Sequence, residues 1–357
     1  MNILKIEDDS FNDIYSDIKG RYLSSTNFPK LIVGTGLSVI MGISGMSGLS
    51  EKLDIEFNNE ENSKLKELWN SCKYTVNKNG LEAALLEVQP DELFVDKIRK
   101  VTADLILRSD YDAREYVLSS HTGFEKLLKY LSDTVSVNNS IIDIMTPNYD
   151  LVIETIADKI NLKTTLGFEG NIYQSFNSEI LNNPYSYFKK ENRALLRIFK
   201  PHGSINWINI DGKVKQLNDY SHLISHSDLI EIIAPGRFKF EYGLTHNLFR
   251  YHRETFNSLI SSKEKYSLFI YGYGFNDQHF DTVFENTDKD VIVLSRDVKK
   301  DVVDRALNNT NWTIFYKNIL NQEDVVEDGS YMIYRGKKYS INCDLWDIDN
   351  FSNVFIS

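Results

Sequence analysis

Five short apolar runs, each followed by small or polar residues, constrain the fold of this chain more than any other sequence feature. They lie at residues 31–33, 141–145, 195–200, 266–271 and 290–294. Runs of this length are typical of buried strands, and helical patterns follow the first two. Strands that alternate with helices pair in parallel, so we predict an α/β fold around a Rossmann-like parallel sheet. The loops after the strands then meet at the edge where such sheets bind ligands.

The remaining segments predict how the chain is divided. Residues 10–25 carry apolar side chains at helical spacing, which indicates an amphipathic helix that packs either on its own core or on a partner. A mainly helical stretch reaches about residue 138, and residues 331–342 predict a hairpin that turns at 335–338. We therefore expect an N-terminal helical extension (1–27), a central domain (28–300) with a helical insertion at about 50–138, and a small β-rich C-terminal appendage (301–357).

Composition excludes several classes of protein. The 357 residues carry a formal net charge of −11, which disfavours nucleic-acid binding because phosphate contacts need a basic surface. No apolar run is long enough to span a membrane and no leader pattern is present, so we expect a cytoplasmic protein. Two cysteines, Cys72 and Cys343, cannot build a four-cysteine zinc ribbon, and we expect no metal.

The first two loops offer groups suited to a nucleotide. Gly34 and Gly36 allow the backbone to turn tightly and approach a pyrophosphate, although an ordinary strand-to-helix turn explains them equally well. Thr146, Asn148 and Asp150 alternate through the second loop and present a hydroxyl, an amide and a carboxylate. Alternatively, Asn148 and Asp150 cap the following helix.

The later loops add a titratable group and a carboxylate. His202 follows a strand and precedes Gly203, where an imidazole can accept a proton near neutral pH, although a single histidine is more often structural. His222 and His226 have metal-ligand spacing but lack the glutamate of a zinc protease motif, which favours surface histidines. Asp277 is either a ligand-binding residue or a helix cap.

In sequence order, these loops resemble the signature loops of the sirtuin family. The matching segments are residues 34–38, 146–150, 202–204 and 272–277. The resemblance covers about residues 28–300 and is closest to the sirtuin-like proteins of bacterial anti-phage systems, whose members hydrolyse NAD. Ser44 and Met46 replace the proline and tryptophan usual after the first loop. The chain also lacks the Asp-Phe-Arg stretch and the zinc ribbon of deacylating sirtuins, which counts against lysine deacylation.

The resemblance implies a role for each matching residue. Three residues would act in catalysis beside the nicotinamide ribose: Asn148, Asp150 and His202. The others would bind NAD, with the phosphates held by Gly34, Thr35, Gly36 and Ser38, the adenosine side lined by Gly272, Gly274 and Ser295, and further contacts from Thr146 and Asp277.

The resemblance also implies the reaction and its context. We expect a hydrolase that converts NAD, as substrate, to nicotinamide and ADP-ribose during abortive infection. An unregulated enzyme would kill its host, so we expect gating by assembly or by a partner. The resemblance suggests a HerA-type ATPase as a partner. The residues suggest a homo-oligomer, with contacts through the apolar stripe at Phe11, Ile14, Ile18 and Tyr22 or through the hairpin at 331–342, because both lie outside the region of resemblance. The alternatives are a non-enzymatic sensor of NAD or an ADP-ribose derivative, and a protein deacylase or ADP-ribosyl transferase.

Overall fold

The apolar runs form strands of a large central sheet. The computed structural model describes residues 2–88, 91–135, 140–186, 194–236, 246–275, 278–285, 287–320 and 329–356. The strands are β1 Asn2–Leu4, β2 Pro29–Val33, β3 Ile141–Met145, β4 Lys163–Thr165, β5 Phe168–Glu169, β6 Gln174–Phe176, β7 Leu195–Phe199, β8 Gly203–Ile210, β9 Lys213–Gln216, β10 Ile230–Ile232, β11 Ser267–Tyr271, β12 Asp290–Val298, β13 Trp312–Ile319, β14 Ser330–Tyr334 and β15 Lys337–Ile341.

Helices connect these strands and cover the sheet. They are α1 Asp9–Tyr22, α2 Thr35–Ile40, α3 Met46–Asn58, α4 Ser63–Asn79, α5 Leu81–Glu87, α6 Glu92–Ser119, α7 Gly123–Thr134, α8 Val152–Lys159, α9 Ser178–Asn182, α10 Tyr220–Ser225, α11 Asn247–Ile260, α12 Gln278–Glu285, α13 Lys300–Asn308 and α14 Ile348–Phe355. Among the described residues, none of them is both long and apolar enough to span a bilayer.

The central sheet has the parallel topology that the alternating pattern predicts. Its ten strands are ordered β1-β15-β14-β13-β12-β11-β2-β3-β7-β4, and the run from β13 to β4 is parallel throughout. After β2 the chain builds the sheet toward β4, and it later returns to build the other side from β11. The strand order therefore reverses between β2 and β11, which makes the edge above these strands the expected ligand crevice.

A second sheet lies beside the first and was not predicted. It is antiparallel, with the order β10-β8-β9-β6-β5. Trp207 on β8 is fully buried against Phe168 and Phe249. Because β8 begins directly after His202, this sheet fixes one side of the histidine turn.

The helices between β2 and β3 form a separate hydrophobic cluster. Phe57 packs between Trp69 and Phe94, with ring centroids 5.1 and 5.0 Å apart. The long helix α6 reaches out of this cluster, since its residues Ile106 and Leu107 belong to the main core. Helix α6 thereby connects the helical segment to the sheet edge.

Both ends of the chain pack into the main core. The apolar face of α1 is buried, with Ile18 and Tyr22 at 0% exposure, and Tyr15 stacks on Phe355 of α14 at 5.4 Å. The expectation that this face contacts another subunit is therefore wrong, and the alternative of packing on the chain's own core is confirmed.

The C-terminal segment extends the central sheet. Strand β13 pairs in parallel with β12, and the predicted hairpin forms β14 and β15, whose edge pairs with β1. The hairpin turns at Arg335 and Gly336, both with positive φ. The division of the chain into extension, central domain and appendage stays a prediction.

A loop was expected directly after the apolar run at 290–294, and this expectation is wrong. Strand β12 continues through these residues to Val298 because β13 is long enough to pair with them, Ser295 with Tyr316 and Asp297 with Asn318. The Asn318 amide donates to the Asp297 carboxylate at 2.8 Å, which satisfies a polar side chain within the ladder. The polar residues after this apolar run therefore belong to the strand and not to a turn.

Candidate active site

Three glycines lock the loops after β2 and β11 together. The Gly36 amide donates to the Gly272 carbonyl at 3.0 Å, and the Gly34 amide donates to the Tyr271 carbonyl at 2.8 Å. A Cβ on Gly34 would lie 2.4 Å from the Gly272 oxygen, and one on Gly36 would lie 2.6 Å from the Gly272 Cα. Only glycine permits this approach, so these residues have a structural role besides any contact with phosphate.

Asn148 is held in one orientation by the first loop. Its Nδ2 donates to the Gly34 carbonyl at 2.9 Å and to Ser38 Oγ at 2.7 Å, and its own amide donates to Thr146 Oγ1 at 3.1 Å. The side-chain oxygen Oδ1 is buried and has no hydrogen-bond partner among the described residues. A buried acceptor without a partner is costly, so this oxygen is poised to accept a hydrogen bond from a ligand or water.

Ser38 connects Asn148 to Asp150. Its hydroxyl donates to Asp150 Oδ2 at 2.6 Å while accepting from Asn148 Nδ2, so the three side chains form a directed chain of hydrogen bonds. The other oxygen, Asp150 Oδ1, accepts from the amide of Val152, the first residue of α8, at 3.2 Å. The N-cap position of α8 is Leu151, so Asp150 lies one residue before the cap and contacts both the start of the helix and Ser38.

His202 occupies a tight turn between β7 and β8. The Gly203 amide donates back to the Lys200 carbonyl at 3.1 Å, and Gly203 has φ of +90°, where a Cβ would lie 2.6 Å from the Glu231 carbonyl. The His202 carbonyl accepts from the Ile233 amide at 2.8 Å. The turn thus presents the imidazole at the edge of the sheet, with 6% of the residue exposed.

These loops and the helices α3, α5 and α6 enclose a cleft of about 1020 Å³ that includes open solvent. Six predicted site residues line it: Thr35, Ser38, Asn148, Asp150, His202 and Gly274. Four other predicted residues do not line the cleft but make hydrogen bonds to the lining residues or to their loops: Gly34, Gly36, Thr146 and Gly272. Ser295 is not among the lining residues, and its Oγ donates to the Asp297 carbonyl at 2.9 Å. Asp277 lies outside the described residues.

The remaining lining comes from the segment after α2 and from helices that the sequence did not connect with the site. Ile43, Leu49 and Ile106 supply apolar surface, and Thr102 and Glu82 supply polar groups. Apart from His202, the charged residues of the described lining are Glu82 and Asp150, both acidic. An anionic ligand would therefore be held by backbone amides and hydroxyls here, not by a lysine or arginine of the described lining.

Comparison with known families agrees with this geometry. A family model, the SIR2-like domain, matches residues 143–312. This match supports a sirtuin-like family, and a SIR2-like domain implies NAD binding and NAD-dependent enzymatic activity in general. No curated protein gives a significant match to the chain.

The matched region of the SIR2-like domain contains Asn148, Asp150 and His202 but begins after the first glycine loop. The fold brings that loop to the same cleft, where Gly34 and Ser38 hold Asn148. Among the described residues, no group of three or more histidine, cysteine or acidic side chains is arranged to hold a metal ion. The rings of His222 and His226 stack with their centroids 4.3 Å apart, and neither residue is among those that line the cleft.

Two buried charged residues next to the site, outside the lining of the cleft, were not predicted from the sequence. Asp110 on α6 accepts from the Leu151 amide at 2.8 Å and from the Tyr220 hydroxyl. Burial, together with the negative charge of Asp150, raises the pKa of Asp110 to about 6. Lys200 at the end of β7 donates to the Asp150 carbonyl and forms an ion pair with Glu154 at 2.8 Å. A carboxylate on the buried stripe of a helix was the available signal for Asp110.

Proposed function

We propose that this chain is an NAD hydrolase that cleaves the bond between nicotinamide and ribose. The observation that carries the proposal is Asn148, whose amide nitrogen has two partners in the first loop and whose buried oxygen has none among the described residues. Asn148 and His202 line the same cleft. An acceptor beside a base is what activation of water on a sugar cation requires.

The reaction needs little acid catalysis. Nicotinamide in NAD is a cationic leaving group, and the electron pair of the broken C1′–N bond neutralises it as it departs. The Asn148 oxygen would hold water beneath the anomeric carbon. His202 would accept the proton released when the water oxygen bonds to C1′, through a ribose hydroxyl. Asp150 would orient Ser38 and, through it, Asn148.

The cleft suits a dinucleotide whose phosphates lie at the first glycine loop and whose nicotinamide ribose lies near Asn148 and His202. The Gly36 amide is engaged by Gly272, so phosphate contacts at this loop would come from Thr35 and from amides not involved in the glycine contact. The apolar wall at Ile43 and Ile106 would pack against the nicotinamide ring. Two acidic residues in the lining favour the cationic end of NAD on this side of the cleft.

We further propose that activity is gated, because continuous hydrolysis of NAD would deplete the host cell. An anti-phage role and a HerA-type ATPase partner rest on the sequence resemblance. The apolar face of α1 is buried within the chain, so contacts between subunits of a homo-oligomer would use the hairpin at 331–342, the other segment expected to make them.

The test is NAD turnover by the purified chain, alone and with candidate partners. Asn148→Ala and His202→Ala should fold normally and lose at least about 100-fold in turnover, a loss typical of removing one acid–base or oxyanion group. Matched controls are Asn58→Ala and His121→Ala, whose side chains lie at the surface of the helical segment. Unchanged turnover in either site variant would discard the catalytic roles.

A further inference from the structure

One peptide group behind the cleft is held at both ends by buried charged side chains. This peptide joins Asp150 to Leu151. Its carbonyl oxygen accepts a hydrogen bond from Lys200 Nζ, and its N–H donates to Asp110 Oδ1 at 2.8 Å. Lys200 is 0% exposed and Asp110 is 4% exposed, so both contacts are shielded from solvent.

The signs of the two charges match the dipole of the peptide. A cation contacts the oxygen and a carboxylate contacts the N–H, so each hydrogen bond is charge-assisted and roughly twice as strong as a neutral one. Two fixed points at opposite ends of a planar group prevent that plane from rotating. The backbone dihedrals on either side of the peptide, at Asp150 and Leu151, are thereby restricted.

The orientation of this plane determines where the Asp150 side chain lies. Asp150 Oδ2 accepts from Ser38 at 2.6 Å, and Ser38 Oγ accepts from Asn148 at 2.7 Å. A rotation of the peptide would displace the Asp150 carboxylate and then Ser38. Asn148 would then lose one of the two contacts that fix its amide plane, and its oxygen would lose its fixed orientation.

The two charged residues come from different parts of the fold. Asp110 belongs to α6 and is also held by the Tyr220 hydroxyl of α10. Lys200 lies two residues before His202 and also contacts Ser204 Oγ at 3.2 Å and Glu154 at 2.8 Å. The peptide is therefore the point where the helical segment and the histidine turn are tied to the Asn148 loop.

We propose that Asp110 and Lys200 are positioning residues that clamp the Asp150–Leu151 peptide and so orient Asn148. Neither residue is in the described lining of the cleft, so neither is expected to touch a ligand. The effect of the clamp on turnover rests on the proposed function, but the restraint of the peptide does not.

The decisive variant is Asp110→Ala, which removes the acceptor of the Leu151 amide. Asp110→Asn keeps an acceptor of the same shape without the charge. Asp112→Ala is the matched control, because Asp112 is on the same helix and exposed. The first readout is hydrogen–deuterium exchange at the Leu151 amide, resolved from overlapping peptides. We expect exchange at least roughly tenfold faster in Asp110→Ala, an intermediate rate in Asp110→Asn and the wild-type rate in Asp112→Ala.

The second readout separates positioning from binding. In Asp110→Ala, kcat for NAD cleavage should fall by about 100-fold while KM changes by less than about threefold, and Asp110→Asn should recover part of the loss. Wild-type exchange at Leu151 in Asp110→Ala would overturn the clamp, and so would a kcat equal to that of Asp112→Ala. If Asp110→Ala does not fold, Asp110→Asn takes its place. A Leu151 amide that exchanges no faster in Asp110→Asn than in wild type would then overturn the clamp. A wild-type chain that binds but never cleaves NAD would refute the proposed function and leave the exchange result as the test of the clamp.

Discussion

Ser38→Ala would break the chain of hydrogen bonds that connects Asn148 to Asp150. Ser38 is 5% exposed, and its hydroxyl donates to Asp150 at 2.6 Å and accepts from Asn148 at 2.7 Å. A hydrogen bond to a charged group contributes about 1.5–3 kcal/mol and a neutral one about 0.5–1.5 kcal/mol. Since both partners remain buried, the free energy of unfolding should fall by about 2–4 kcal/mol.

The same variant should also affect turnover. Asn148 keeps the Gly34 carbonyl as a partner, so its side chain stays in place but loses one of two contacts that fix the amide plane. A small misorientation of a catalytic group can lower the rate about 100-fold. We therefore expect kcat for NAD cleavage to fall more than the affinity for NAD.

Urea unfolding and steady-state kinetics measure the two effects. Ser44→Ala is the matched control, because Ser44 lines the same cleft but its hydroxyl pairs with Ser109 at 2.8 Å. Ordinary surface substitutions change stability by less than about 0.5 kcal/mol. If Ser38→Ala and Ser44→Ala differ in stability by less than this and have equal kcat, the hydrogen bonds from Asn148 through Ser38 to Asp150 have no energetic role.

Three other substitutions test the fold around the site. Burial raises the pKa of Asp110 to about 6, so the folded state binds the proton more tightly than the unfolded chain, and the contribution of this group to stability falls as the pH rises from its ordinary range through the raised value. Asp110→Asn removes this titrating carboxyl group, so the unfolding free energy of the variant relative to wild type should rise by about 1–2 kcal/mol between about pH 5 and pH 8, and a constant difference would refute this assignment. Gly272→Ala would place a Cβ 2.7 Å from the Gly36 Cα at φ of +59°, and chemical denaturation should show a loss of at least about 2 kcal/mol. Ile18→Ala empties a position with 0% exposure and should cost about 2–5 kcal/mol, whereas a loss below about 1 kcal/mol would indicate that α1 is not part of the core.

The central sheet was largely predictable because its middle strands are buried along almost their whole length. The predicted runs at 141–145 and 266–271 agree with β3 and β11 to within one residue, since parallel strands covered on both faces have few polar residues. The antiparallel sheet could not be predicted in the same way. Strands such as Gln174–Phe176 and Lys213–Gln216 are short, partly exposed and without apolar alternation.

The candidate site was predicted in part for a related reason. Residues that follow strands, such as Asn148 and His202, are indicated by their local sequence, and the topology brings their loops together. The buried stripe of α6 could have indicated Asp110, but its contact with the Asp150–Leu151 peptide is recognisable only from the fold, because Asp110 meets Leu151 from a helix forty-one positions away in the chain. No local spacing rule predicts that pairing.

The most direct test of the account is the identity of the products formed from NAD. The purified chain, with any partner needed for activity, is incubated with NAD and the products are separated and quantified. We predict nicotinamide and free ADP-ribose in equal amounts, with neither formed by Asn148→Ala. ADP-ribose attached to protein would indicate a transferase, and loss of an acyl group from an added acyl-lysine peptide would indicate a deacylase. Saturable NAD binding without any product, with every candidate partner present, would contradict the proposed hydrolase.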